Sequence, residues 1–117
     1  MSKKLLIVDD DTVLSHELSE MLVEDGHSVQ TAGEGEEALK LIGRNAYDVI
    51  LLDIKLPGIS GIEILKQLRN NPPAGNIFIV SGSPDAKKQL HAEGVDHMVK
   101  DVLTKPFDIQ FILDMIK

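Results

Sequence analysis

The sequence predicts an α/β fold in which a five-stranded parallel sheet carries helices on both faces. Two observations support this expectation: short apolar runs alternate with segments of helical periodicity, and the connections between them are short. Such alternation is typical of parallel sheets joined by right-handed crossovers. With 117 residues, 43% of them hydrophobic, the chain has the length of one domain and enough apolar residues for its core. We therefore expect a single domain over residues 1–117.

The first strand–helix pair has well-marked limits. Residues 5–8 are a continuous apolar run, as in a strand that is buried on both faces. Asp11 or Thr12 can cap a helix that continues to about residue 25, and Gly26 can end it in the left-handed conformation. The expected buried stripe of this helix is Val13, Leu14, Leu18, Met21 and Leu22.

The second pair is less strongly marked than the third. A weak strand over residues 28–32 precedes a helix over residues 35–44, whereas residues 47–52 form the strongest candidate strand. The inward-facing residues of the second helix are expected to be Ala38, Leu39 and Ile42.

Turn and cap residues locate the third helix. Residues 55–58 end in Pro-Gly and have the composition of a turn. Ser60 and Glu63 have the spacing of a capping box, which predicts a helix to about residue 69. Residues 77–80 then supply the next apolar strand.

The last two pairs occupy the remainder of the chain. Ser83 as a cap and Pro84 in the first turn are suited to start a fourth helix, which Gly94 ends. Residues 95–104 end in a short apolar strand at 102–104, but they are more than one strand requires. The final helix is predicted from the 3.6-residue spacing of Ile109, Ile112, Leu113 and Ile116.

Polar side chains follow four of the predicted strands at their carboxyl ends. Asp9 and Asp10 follow the first strand, Asp53 the third, Ser81 the fourth and Lys105 the fifth. Ligands of open parallel sheets bind in the crevice beyond these strand ends. Each residue alone could be a helix cap or a turn residue, but together they predict one site that holds both a cation and an anion.

The chemistry expected of this site is phosphoryl transfer assisted by Mg²⁺. Three carboxylates would repel each other without a cation, and Mg²⁺ prefers oxygen ligands together with bound water. Because Asp9 and Asp10 are adjacent, we expect one to bind the ion directly and the other through water. Asp53 can serve both as ligand and as nucleophile, since carboxylates form covalent phosphoryl intermediates. Lys105 and the Ser81 hydroxyl would hold the phosphoryl oxygens.

Composition limits the possible partners. The net charge of −7 argues against direct binding to nucleic acids, whose phosphates would be repelled. No cysteine is present, which excludes disulfide and thiol chemistry and fits a cytosolic protein. The apolar stretch near the amino terminus is too short for a signal peptide or a membrane span. We expect a cytoplasmic protein that has no membrane partner.

Four segments resemble the receiver domain of two-component response regulators. They are Leu-Leu-Ile-Val-Asp-Asp-Asp at 5–11, Val-Ile-Leu-Leu-Asp-Ile-Lys-Leu-Pro-Gly at 49–58, Ile-Val-Ser-Gly at 79–82 and Thr-Lys-Pro-Phe at 104–107. The likeness covers essentially the whole chain, in the family's order. It implies a flavodoxin-like, doubly wound (βα)5 fold with strand order 2-1-3-4-5.

The resemblance also implies a metal site. Asp10 is similar to the family's direct Mg²⁺ ligand, and Asp9 to the ligand that acts through water. Asp53 and the backbone carbonyl of Lys55 would complete the protein's ligands.

The signalling roles follow from the same resemblance. Asp53 corresponds to the residue that takes a phosphoryl group from a phosphohistidine on a sensor histidine kinase or phosphotransfer protein. Ser81 and Lys105 correspond to the residues that respond to the phosphate, and the Lys105–Pro106 bond is expected to be cis. The domain would catalyse its own phosphorylation and slow dephosphorylation, and would switch a surface that binds a downstream output domain or protein.

Two features depart from the family pattern. Val102 occupies the position of a Tyr or Phe that acts as a rotating switch. The segment before Lys105 is longer than usual, and the extra residues within 96–101 suggest an altered loop or an extra helical turn.

Two alternatives remain open at the level of sequence. Residues 9–13 also match the Asp-x-Asp pattern of haloacid-dehalogenase-like phosphatases, in which Asp9 would be the nucleophile, Asp11 the acid/base, and Ser81 and Lys105 the phosphate binders. That fold is usually longer than 117 residues, and it leaves residues 53–58 unexplained. The second alternative is a receiver-like interaction module that is not phosphorylated.

Overall fold

The computed structural model describes residues 2–116. Their five parallel strands form one sheet in the order β2–β1–β3–β4–β5, which confirms the predicted fold class and strand order. The strands are β1 (Lys4–Val8), β2 (Ser28–Ala32), β3 (Val49–Asp53), β4 (Asn76–Ser81) and β5 (Asp101–Thr104).

Helices cover both faces of the sheet. They are α1 (Thr12–Glu24), α2 (Gly35–Arg44), α3 (Gly61–Leu68), α4 (Ala86–Ala92) and α5 (Ile109–Met115), with a short 3₁₀ turn at Asp96–Met98. One apolar cluster packs the sheet against α2, α3 and α4, and a second packs its other face against α1 and α5. None of the helices among residues 2–116 has the length and apolar character needed to span a bilayer.

The apolar runs of the sequence are the strands at the centre of the sheet. All five residues of β3 are buried, as are the last four of β1. Strands buried on both faces need apolar residues at every position, so alternation is absent from these segments. The ends of these strands differ slightly from the predicted ones: β3 begins at Val49 and includes Asp53, and β4 includes Ser81.

The predicted buried stripe of α1 is only partly correct. The Asp11 carboxylate caps the helix by accepting a hydrogen bond from the Leu14 amide, and Gly26 follows the helix with a φ of 94°. Val13 and Met21, however, are 67% and 38% exposed. The buried face is instead Ser15, Leu18 and Leu22, at i, i+3 and i+7.

Of the two predicted serine caps, one is confirmed and one is wrong. Ser60 Oγ accepts a hydrogen bond from the Glu63 amide at the start of α3. Ser83 Oγ accepts one from the Asp85 amide instead, which forms a local turn that competes with a helix start. Because of this turn, α4 begins at Ala86, two residues later than Pro84 predicts.

The long segment before Lys105 contains the extra helical turn that the sequence suggested. The 3₁₀ turn Asp96–Met98 comes between α4 and β5, and Asp96 Oδ2 lies 3.0 Å from Nδ1 of His91 on α4. Val102 is half-buried on β5 and pairs with Ile79 of β4.

Candidate functional site

The parallel sheet brings the predicted residues to one edge. Asp9 is the first residue after β1, Asp53 and Ser81 are the last residues of β3 and β4, and Lys105 is the first residue after β5. The register aligns these ends, since Asp53 pairs with Val80 and Ser81 with Thr104. The order β1–β3–β4–β5 therefore places the side chains in adjacent positions along the carboxyl edge.

Three carboxylates form the acidic part of the site. Asp9, Asp10 and Asp53 each offer an oxygen, and these atoms all lie within 4.8 Å of one another. Asp9 and Asp53 are 5% and 7% exposed, whereas Asp10 is exposed to solvent. Two buried acids beside a third, accessible one form a donor set that fits a hydrated divalent cation.

Lys105 connects the two buried acids. Its Nζ donates to Asp9 Oδ2 at 2.8 Å and to Asp53 Oδ2 at 3.1 Å. The Lys105 amide also donates to the Ser81 carbonyl at 2.8 Å, which holds the start of the loop against β4. The Lys105–Pro106 peptide bond is cis, as the resemblance implied.

Burial and neighbouring charges change the protonation of these groups. Burial raises the pKa of Asp53 and the charge of Asp9 adds to this effect, while the hydrogen bond from Lys105 opposes it. Burial alone would lower the pKa of Lys105. The hydrogen bonds and charges of Asp9 and Asp53 outweigh that effect, so the pKa of Lys105 is raised and its ammonium form is stabilised.

Backbone amides orient the two buried carboxylates. The Asp11 amide donates to Asp9 Oδ1 at 2.9 Å, and the Lys55 amide donates to Asp53 Oδ1 at 3.2 Å. Sequence reasoning did not identify these two donors, because any residue type other than proline supplies the same N–H group.

Ser81 connects the site to the loop that follows β4. Its hydroxyl oxygen accepts a hydrogen bond from the Ser83 amide at 3.0 Å, and the residue is 3% exposed. A hydroxyl that accepts in this way keeps its proton to donate.

The cleft above these residues has space for both a cation and a phosphoryl group. It is open to solvent, with a volume of about 570 Å³. Its lining residues are Asp10, Asp53, Lys55, Ser81, Gly82, Ser83, Pro84 and Lys105. The arrangement therefore combines three carboxylates, an ammonium group and a hydroxyl at a solvent-accessible position, which is a donor set that fits a cation beside a phosphoryl group.

Comparison with known proteins gives the same assignment for almost all of the chain. The sequence profile of the response regulator receiver domain matches residues 5–117. The response regulator ArlR of Staphylococcus saprophyticus is 35% identical over 114 residues, which cover 97% of this chain and 50% of that protein. The chain thus spans about half the length of the curated relatives it matches.

Solved structures are similar over nearly the full chain. The response regulator TrrA of Thermotoga maritima, in complex with Mg²⁺ and BeF, has a TM-score of 0.81 and 29% identity; the match covers 97% of this chain and 96% of TrrA. A response regulator of Burkholderia pseudomallei with a phosphorylated aspartic acid, a calcium ion and citrate has a TM-score of 0.82 and 28% identity, with 98% and 66% coverage. The matches do not favour the phosphatase alternative. The fold, the site and these matches together show that the chain belongs to the family of response regulator receiver domains of two-component systems.

Proposed function

We propose that this domain accepts a phosphoryl group on Asp53 from a phosphohistidine, with the help of Mg²⁺, and that the acyl phosphate switches a surface for a downstream partner. The observation that carries the proposal is the position of the Asp53 carboxylate. It is buried, it contacts Lys105, and it lies beside Asp9 and Asp10 at the edge of an open cleft.

The acidic cluster would hold the cation. Asp10 is accessible and is the candidate for direct ligation, together with Asp53 and the Lys55 carbonyl. For Asp9 we propose a contact through water, the role that the family resemblance implies; its two oxygens accept hydrogen bonds from the Asp11 amide and from Lys105. When bound, Mg²⁺ would neutralise charge on the carboxylates and on the phosphoryl oxygens.

The transfer step requires an ionised and oriented Asp53. One of its carboxylate oxygens forms a bond to phosphorus as the P–N bond of the phosphohistidine breaks, and the released imidazole takes up a proton from solvent. Lys105 Nζ, 3.1 Å from Asp53 Oδ2, is placed to stabilise charge on a phosphoryl oxygen. The Ser81 hydroxyl can donate to another oxygen while it still accepts from Ser83. We expect the domain to catalyse both its own phosphorylation and the slow loss of the phosphate.

Relatives support this chemistry. The Thermotoga structure is named as a complex with Mg²⁺ and BeF, and the Burkholderia structure as one with a phosphorylated aspartic acid. By analogy with two-component systems, we propose that the donor is a sensor histidine kinase or phosphotransfer protein. The matched relatives are about twice as long as this chain. We propose that the target of the switch is a downstream output domain or protein.

The switch would act through the loop after β4. Phosphorylation adds about two negative charges and three acceptor oxygens. Ser81 and Lys105 would then move toward the phosphate and displace the loops that follow β4 and β5. The expected output surface comprises α4, residues 95–104 and α5. Since Val102 replaces an aromatic residue at the family's switch position, this coupling would not require an aromatic side chain there.

The proposal is tested by incubation with acetyl phosphate and Mg²⁺, followed by intact mass spectrometry. We expect the wild type to gain one phosphoryl group, which a chelator prevents and Asp53→Asn abolishes. Asp9→Asn is the comparison that tests the phosphatase alternative: it removes a proposed ligand through water and keeps the proposed nucleophile, so we expect slower phosphorylation but not its loss. A phosphoryl group retained in Asp53→Asn but lost in Asp9→Asn would support the phosphatase alternative, and no adduct from either acetyl phosphate or a phosphohistidine donor would support the interaction module.

A further inference from the structure

The first residue of α3 lies directly against the backbone of the proposed phosphoacceptor. A Cβ atom built on Gly61 would be 2.3 Å from the Asp53 carbonyl oxygen and 2.9 Å from Ile54 Cα. We infer that Gly61 is a positioning residue for phosphoryl transfer: its missing side chain allows α3 to hold the backbone of residues 53–55 in the geometry that the chemistry needs. This inference rests on the proposed function of Asp53.

Glycine at position 61 is explained by the lack of space for a side chain and not by backbone conformation, because the φ angle of Gly61 is not positive. Positive φ angles among the described glycines occur at Gly26, Gly58 and Gly94 only. Alanine is the better helix former, so helix propensity alone would not favour glycine at the first position of α3. The close approach to the Asp53 carbonyl gives the reason for glycine at this position.

Two groups of the site depend on this stretch of backbone. The Gly61 amide donates to the Ile54 carbonyl at 2.8 Å, and the Lys55 amide donates to Asp53 Oδ1 at 3.2 Å. Real Cβ atoms are essentially never closer than 3.0 Å to such an atom, so a methyl group at Gly61 requires a displacement of about 0.7 Å (3.0 minus 2.3). The displaced atoms would belong to Asp53, the nucleophile, and to the strand end that leads into Lys55. An error of about 1 Å in a reacting group can reduce a rate by about a hundredfold.

A second glycine holds the other end of the same loop. A Cβ atom on Gly35, the first residue of α2, would lie 2.3 Å from Ile59 Cγ1 and 2.5 Å from the Ile59 carbonyl oxygen. Residues 54–60 therefore pack between the amino-terminal ends of α2 and α3, and each of these ends approaches the loop through a glycine.

The chain provides a matched control at the opposite edge of the sheet. A Cβ atom on Gly75 would lie 2.0 Å from the Tyr47 carbonyl oxygen and 2.8 Å from the Asp48 carbonyl carbon. Gly75 thus makes a backbone contact as close as that of Gly61. Asp48 and Asp53 are separated by the length of β3, or about 16 Å at roughly 3.3 Å per residue. Gly75→Ala should therefore destabilise the fold without displacing the site.

The test compares Gly61→Ala with Gly75→Ala in the full chain. For each we would measure the melting temperature, the fraction folded, the rate of acyl phosphate formation from acetyl phosphate at saturating Mg²⁺, and the Mg²⁺ affinity from two-dimensional NMR titration. We expect both variants to melt at lower temperature. Per folded molecule, Gly61→Ala should react about ten- to a hundredfold more slowly and bind Mg²⁺ more weakly, while Gly75→Ala stays within about twofold of the wild type.

The outcomes separate this inference from the proposed function. Equal rates and equal Mg²⁺ affinities for the two folded variants would overturn the role of Gly61. If the wild type itself carries no phosphate on Asp53, the proposed function fails, and the Mg²⁺ affinities alone decide whether Gly61 positions the site.

A milder variant covers the case in which Gly61→Ala does not fold. Gly35→Ala presses on Ile59, partly through a side chain that can move, at the far end of the same loop. We then expect a smaller loss of rate than for a displaced Asp53, but a larger one than for Gly75→Ala. A wild-type rate in folded Gly35→Ala would overturn the inference.

Discussion

Lys105 opposes the rise in the pKa of Asp53 that burial causes, and Asp53 and Asp9 together raise the pKa of Lys105. The ammonium group lies 3.1 Å from one buried carboxylate and 2.8 Å from the other, Asp9. Among residues 2–116, no other cation forms an ion pair with these two buried acids. The same ammonium group is placed to stabilise the charge that develops on a transferred phosphoryl group.

Replacement of this lysine should therefore slow phosphorylation strongly. We expect Lys105→Met to reduce the rate of acyl phosphate formation by about a hundredfold, the usual effect of removing one charge-stabilising donor. The measurement is a time course of intact mass with acetyl phosphate and Mg²⁺. Lys88→Met, which removes an exposed lysine of α4, is the control for net charge. Equal rates in the two variants would contradict the role of Lys105.

The raised pKa of Asp53 predicts a specific dependence on pH. Because burial raises this pKa above its ordinary value of 3.8, Asp53 takes up its proton at a higher pH than a free aspartate. The proposed nucleophile and cation ligand is the ionised form of Asp53, so Mg²⁺ affinity, and phosphorylation at subsaturating Mg²⁺, should fall as the pH falls through the raised pKa. As the solution is made more acidic, the rate of phosphorylation should begin to fall at a higher pH than the one at which an exposed aspartate takes up its proton. A decline that coincides with ordinary aspartate titration would contradict this expectation.

The same shift predicts the sign of a stability change. A raised pKa means that the native state binds the Asp53 proton more tightly than the unfolded chain does. The stability that protonation of Asp53 contributes is therefore fully present below pH 3.8 and is lost as the pH rises through the folded-state pKa. At neutral pH and without divalent cations, Asp53→Asn should therefore raise the urea midpoint. Glu24→Gln, which removes one exposed acid from α1, is the control. An equal or lower midpoint for Asp53→Asn would show that the Lys105 contact outweighs burial.

At the scale of elements, strand ends were more predictable than helix starts. Asp9, Asp53, Ser81 and Lys105 could be located because each follows an apolar run, and parallel strands bring such positions to one edge. The start of α4 could not, because Ser83 and Pro84 are equally suited to a helix cap and to a turn, and the turn is formed. The contact between Gly61 and Asp53 was not predictable for a different reason, since it depends on how α3 packs against the end of β3.

Asp11, the cap of α1, has a structural role in the receiver fold, whereas the phosphatase alternative would give it a catalytic role. Asp11 accepts a hydrogen bond from the Leu14 amide, and its carboxylate would be an acid/base only in the phosphatase alternative. We expect Asp11→Ala to lower the free energy of unfolding by about 1 kcal/mol, as for other lost caps. The phosphorylated fraction of the folded protein should be unchanged, as judged by denaturant unfolding together with intact mass. Complete loss of phosphoryl chemistry with the fold intact would contradict this assignment.

In the molecule as a whole, acidic side chains are concentrated at the carboxyl edge of the sheet, where Asp9, Asp10 and Asp53 lie together. The chain has a net charge of −7, and three of its carboxylates converge at this edge. The fold class and strand order could be predicted because alternation and family resemblance agree across nearly the full length. The 3₁₀ turn before β5 could be anticipated only from the extra length of its segment, because residues 95–104 have no clear periodicity.

Mg²⁺ should stabilise the whole fold through this edge. At a concentration about 100 times its Kd, a ligand that binds only the native state adds about 2.7 kcal/mol to the free energy of unfolding. In a domain of this size that corresponds to a rise in Tm on the order of 10 °C. Thermal unfolding with and without EDTA measures the effect. Asp10→Asn should abolish most of it, whereas Glu24→Gln should not, and a Tm that is independent of Mg²⁺ would contradict the metal site.

The identity of the modified residue tests the central claim most directly. After phosphorylation in the presence of Mg²⁺, borohydride reduces an acyl phosphate of aspartate to homoserine, and peptide mapping then locates that residue in the chain. We predict homoserine at position 53 alone, and none when a chelator is present. Homoserine at position 9, or none at any position despite a phosphohistidine donor, would contradict the account.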